Sequence, residues 1–101
     1  MKIVKNLYKE INFEDKCYKF SYRLVESDFK GALVYGVEVE RKDFKDEEVI
    51  NIERDSVFKI SPNKSKVEEL FYKLHKYEVS PIHLIDVIGE TVDNSVADFS
   101  F

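Results

Sequence analysis

Cysteine is almost missing from these 101 residues. Cys17 stands alone, which excludes an intrachain disulfide and a multi-cysteine zinc site and points to a reducing, cytoplasmic setting. Glycine is scarce too, and Gly31, Gly36 and Gly89 are scattered with none opening a strand-to-helix turn, so there is no phosphate-cradling loop. Long apolar runs are also lacking. The start, Met1-Lys2-Ile3-Val4-Lys5-Asn6, has no signal-peptide core, and no stretch approaches the length that spans a bilayer. The expectation is a soluble, unexported chain without a membrane partner.

The C-terminal quarter has no lysine or arginine. Residues 77–101 carry five acidic groups and none basic, whereas residues 1–30 carry seven basic and five acidic, within a net charge of −4. A nucleic-acid footprint needs clustered Lys and Arg, so a nucleic-acid partner is not expected, and anionic lipid is disfavoured for the same reason.

What is present is a patterned chain with 44% hydrophobic residues, enough for one core. The expected organisation is a single domain over residues 1–93 and a tail at 94–101. Val67, Leu70, Phe71, Leu74 and Tyr77 recur at three-and-four spacing opposite Lys66, Glu69, Lys73 and Lys76, which predicts a helix near 62–77. Its start is signalled twice, by Ser61-Pro62 and by the capping box Ser65 to Glu68. Ser80-Pro81 starts a second helix near 81–92, with Leu84, Ile85, Val87, Ile88, Thr91 and Val92 on a wide apolar side that implies deep burial.

Upstream the period is two. Residues 2–11 read as a strand of imperfect alternation, with Ile3, Leu7 and Ile11 on one parity and Val4 and Tyr8 on the other. Tyr18, Phe20, Tyr22 and Leu24 alternate strictly, and Leu33, Tyr35, Val37 and Val39 form a third strand after a loop at Glu26–Gly31. Gly36 within that strand marks either a bulge or close backbone approach, or is an ordinary outer-face glycine. The charged run Arg41–Glu48 reads as a solvated hairpin loop, since it lacks the alternating oxygen ligands and central glycine of an EF-hand. Val49–Arg54 is a fourth strand with Ile50 and Ile52 inward, and Phe58–Ile60 a short extended piece.

Strands followed by helices, without strand-helix-strand alternation, predict an α+β fold: an antiparallel sheet of about four strands with two helices packed on one face. That face should carry Tyr18, Phe20, Tyr22, Leu33, Tyr35, Val37 and Ile50. Val4, Tyr8, Val25, Val34 and Val49 fall on the other parity and form a thinner second apolar patch.

Residues suggestive of chemistry are few. His83, Asp86, Glu90 and Asp93 line one helical face, either as a solvated polar stripe or as the beginning of a metal site that would need further ligands. His75 sits at the edge of the first helix's stripe, and Cys17 has no nucleophile signature around it. No catalytic, cofactor or metal residue is assigned. The candidate interaction residues are Val96, Phe99 and Phe101 of the tail, whose partner is the protein's own surface or an intermolecular groove, together with Tyr8 and Val34.

Tyr35-Gly36-Val37-Glu38-Val39, Ile60-Ser61 and Val79-Ser80-Pro81-Ile82-His83-Leu84-Ile85-Asp86-Val87-Ile88 resemble a family of small uncharacterised proteins of spore-forming Firmicutes. The resemblance implies a bacterial cytoplasmic setting and no catalytic residue. Apolar stripes and surface charge, without convergent polar groups, point to a small protein-binding or regulatory module of unknown specificity. The alternative is an enzyme or small-ligand-binding protein of unrecognised type, which a pocket gathering His83, Asp86 or His75 would favour. Self-association through a sheet surface or edge, as a twofold dimer, is the further expectation.

Overall fold

In the computed structural model, which describes residues 1–99, the strands β1 (Lys2–Phe13), β2 (Lys16–Phe29), β3 (Ala32–Lys45) and β4 (Glu48–Ser61) form one antiparallel sheet in the order β1-β2-β3-β4. Helices α1 (Lys64–Lys76) and α2 (Leu84–Asn94) follow, so the fold is α+β, as the periodicities predict. The strands are longer than expected. Glu26–Phe29 and Arg41–Lys45 are strand and not loop, and the piece Phe58–Ile60 is continuous with β4. Charged residues extend the ladder because they find partners along it: Arg41 Nε donates to Asp43 at 2.9 Å, Arg41 Nη2 lies 3.2 Å from Glu53, and Lys45 is 3.6 Å from Asp15. The turns shrink to residue pairs, and Lys30-Gly31 and Asp46-Glu47 both take positive φ at each position, the geometry that matches strand twist in tight hairpins.

A bulge between Ile3 and Lys5 explains the imperfect alternation of β1. Ile3 pairs with Val25, whereas Leu7 and Ile11 pair with Tyr22 and Tyr18, so Ile3 lies on the opposite face from the other two. A second irregularity offsets β4, where Val57 and Ser61 pair with Val37 and Tyr35. It brings the β4 backbone onto Gly36: a Cβ there would lie 2.2 Å from the Val57 carbonyl oxygen. Close backbone approach is therefore the reason for this glycine.

Neither Ser61 nor Ser65 caps α1. Asn63 does, its side-chain oxygen accepting from Lys66 N at 3.2 Å, while buried Ser61 accepts from Asn63 N at 3.0 Å. The helix ends through Glu78 at φ +53°, with Val79 N donating to the Leu74 carbonyl at 3.1 Å. Pro81 opens a 3₁₀ turn, Pro81–His83, before α2 begins, and the Ser80 hydroxyl makes no capping bond.

Phe20, Tyr22, Leu24, Tyr35, Val37, Val39 and Ile60 of the sheet bury against Val67, Leu70, Phe71 and Leu74 of α1 and Leu84 and Ile88 of α2. Several expected core residues lie outside: Leu33 is 53% exposed, Ile50 51% and Ile52 53%, and Tyr77 and Ile85 face solvent. Ile52 pairs with Lys42 and so shares the Glu40 face, away from the helices, whereas for Leu33, near the end of its strand, the reason is length. Helices of 13 and 11 residues span roughly 20 and 16 Å, but a 14-residue strand reaches about 46 Å. The helices thus cover only part of a molecule 51 Å long, and the apolar side of α2 is wider than the sheet beneath it can bury.

Candidate functional site

The residues singled out for chemistry do not converge. His83 Nδ1 lies 3.9 Å from Asp86 Oδ2, with both side chains, Glu90 and Asp93 exposed. Among the described residues no group of three or more potential ligands is placed to hold a metal ion. His75 is engaged elsewhere: its ring stands edge-on to Tyr22 at 5.7 Å, its Nε2 sits 3.1 Å from the Tyr8 carbonyl oxygen, and the His75 backbone carbonyl accepts from Lys9 Nζ at 2.8 Å. A carbonyl oxygen can only accept, so Nε2 carries the proton. Cys17 donates to Glu10 Oε1 at 3.4 Å, and desolvation together with that carboxylate holds the thiol above its ordinary pKa, the reverse of nucleophile activation.

The candidate interaction residues separate. Tyr8 is 67% exposed and Val96 is also exposed. Val34, by contrast, is fully buried and offers no surface. Val25 is buried as well, and both lie outside the main core cluster, while Val4 packs against that core and Val49 is exposed. Phe99, in a 3₁₀ turn at Val96–Phe99, stands edge-on to Phe29 at 5.6 Å, so this part of the tail lies on its own protomer. Phe101 lies outside the described residues. The turn is fastened by Asp98, which accepts from Lys66 Nζ at 2.5 Å and from the Ser61 hydroxyl at 2.7 Å. Those two bonds hold its carboxyl below the usual carboxylate range.

On the sheet face away from the helices, Glu40 is almost wholly buried between two arginines. Arg23 Nη2 donates to it at 3.1 Å and Arg54 Nε at 2.9 Å, while Arg23 Nη1 donates to Glu38 at 2.7 Å. Burial pulls the Glu40 carboxyl upward, but the two arginines outweigh it and hold its pKa low.

The more informative surface is one the sequence pattern had turned inward. β4 is an edge strand, and along it Val49, Ile50 and Ile52 are all exposed. Beside it runs a groove lined by Ile52, Glu53, Arg54, Asp55, Pro81 and Ile82, with Ile82 itself 72% exposed. Ile52 pairs with Lys42 and Val49 with Phe44, both on the face away from the helices, and the irregularity between Asp43 and Phe44 leaves Ile50 without a ladder partner. The available signal was composition: three aliphatic residues within four positions of a charged segment.

The chain belongs to a family of unknown function (DUF6514), whose model matches residues 1–94. No curated protein and no solved structure matches it. Among the described residues no helix is long and apolar enough to cross a membrane.

Proposed function

We propose that this member of the family is a small protein-binding module of the bacterial cytoplasm that accepts an extended segment of a partner protein along the β4 edge. The carrying observation is that edge: Val49, Ile50 and Ile52 exposed along the outermost strand of the sheet, with Pro81 and Ile82 forming a second wall. Exposed, hydrophobic edge strands are ordinarily blunted in proteins that do not use them. In strand addition the main chain supplies hydrogen bonds and alternate side chains supply selectivity. The lone cysteine and the sequence resemblance support the compartment.

Capture from native lysate with the wild-type chain and with an Ile52→Lys, Ile82→Glu variant tests this reading. Wild type should retain a protein that the variant loses, and amides of residues 49–55 should exchange more slowly in the complex. Equal capture by both forms, protection confined to another surface, or a bound metabolite in place of a protein would overturn it.

A further inference from the structure

We propose that the outer surface of the helical layer binds a second copy of this chain, in a twofold dimer that sets α1 of each protomer across α2 of the other. This goes beyond the strand-edge reading and uses no residue of β4.

The two helices present opposite charge. The outer side of α1 forms a shallow hollow lined by Glu69, Tyr72, Lys73, Lys76 and Tyr77, two cations and two exposed tyrosines against one carboxylate. The outer side of α2 exposes Asp86, Glu90 and Asp93, and α2 contains no basic residue. The C-terminal end of α2 approaches α1: Thr91 shares a groove with Lys66, Glu69, Leu70 and Lys73, and Lys66 Nζ donates to Ser95 Oγ at 3.3 Å. A twofold axis that follows that groove, parallel to the layer and at its outer surface, lays each α1 over the partner's α2. Unlike charges then meet twice, and one operation satisfies both halves of the surface.

Two features of α2 are poorly explained within one protomer. Glu90 and Asp93 stand near the helix C-terminus, where the aligned peptide dipoles favour cations, and the last turn carries no basic residue. Lysines from a partner's α1 would supply that charge. Gly89 lies mid-helix, three residues after Asp86 and four before Asp93, on the same side. A Cβ added there meets nothing within 4 Å, and its φ lies outside the left-handed region, so neither packing nor backbone geometry in the protomer asks for glycine. Bare backbone at that point lets a partner's side chain approach α2 closely.

The test is a pair of charge reversals in the full chain, Lys73→Glu with Lys76→Glu and Glu90→Lys with Asp93→Lys, followed by sedimentation or light scattering at low salt. All four positions are exposed. Wild type should dimerise, and rising salt should weaken the dimer. Each variant alone should dimerise at least about tenfold more weakly. An equimolar mixture should recover a heterodimer, because reversed α1 then meets reversed α2 while the other contact stays native. Gly89→Ala, which adds one methyl group, should weaken the dimer severalfold without unfolding the protomer. A wild-type chain that stays monomeric to high micromolar concentration overturns the proposal, as does a dimer indifferent to both reversals or a folded mixture that fails to pair. Ile52→Lys should leave the dimer intact while removing partner capture, which separates failure here from failure of the strand-edge reading.

Discussion

The Tyr22 hydroxyl, rising from the sheet, donates a 3.0 Å hydrogen bond to the Val79 carbonyl oxygen in the link between the two helices. Both residues are buried, so one bond ties β2 to the segment that turns α1 toward α2. It satisfies a carbonyl that has left helical geometry just before Pro81. Desolvation, and secondarily the Glu78 carboxylate, push the phenol's pKa well above its ordinary value.

Tyr22→Phe removes the donor and leaves the Val79 carbonyl buried without a partner, at an expected cost of about 1–3 kcal/mol by denaturant unfolding. The pH dependence has a definite sign. Below about pH 10 the phenol is neutral whether folded or unfolded. Above it the unfolded chain ionises while the folded one resists, so stability falls as pH rises. The Phe variant should lack this component of the alkaline loss.

Gly36→Ala should be among the most damaging single-methyl changes in the protein. The new Cβ would meet the Val57 and Phe58 backbone at 2.2 to 2.3 Å, and backbone cannot swing aside as a side chain can. A loss of about 3 kcal/mol, at the upper end of overpacking costs, is expected, read from the unfolding midpoint. An effect within error would show that β4 does not cross Gly36 this closely.

Glu40→Gln tests the ion cluster. Glutamine keeps one acceptor oxygen but not the charge, so Arg23 and Arg54 lose their shared counter-ion and one of them faces an NH2 group instead of an acceptor. Since Arg54 is largely exposed, the expected cost is about 2 kcal/mol, below that of breaking a fully buried pair. Glu40 has a depressed pKa in the folded state, so its contribution is present above the ordinary glutamate pKa of about 4.3 and is lost as pH falls through the folded value. The Gln variant should therefore show a flatter acid limb in stability against pH.

Leu74 and Tyr77 were expected to share one stripe, yet only Leu74 is buried. Leu74→Ala should cost about 2–5 kcal/mol. Tyr77→Ala should stay within about 0.5 kcal/mol. Similar losses at both sites would mean that α1 is rotated from the described orientation.

Gly89→Ala should stabilise the protomer by about 0.5–1 kcal/mol, because a mid-helix glycine with free space around its Cα gives up backbone entropy for no local gain. Thermal or denaturant unfolding of dilute protein measures this separately from association.

The sequence by itself determined the order and kind of the elements. Period-two alternation in residues 18–24 and 33–39 and three-and-four spacing in residues 67–74 are local consequences of backbone geometry. Pro81 bars one continuous helix through this segment, because it lacks an N–H, and it fits the first position of a new helical turn. Tertiary structure decided how far each strand runs and which apolar residues end inside. Val25 and Val34 are buried while Leu33, Ile50 and Ile52 are exposed: the register of β4 turns Ile52 to the face away from the helices, its irregularity leaves Ile50 out of the ladder, and the helices are shorter than the sheet beneath them. No local pattern encodes that footprint, which depends on where α1 and α2 come to rest. The apposition of a basic and an acidic helix, and of β4 with Pro81 and Ile82, likewise exists only after the chain has folded back on itself.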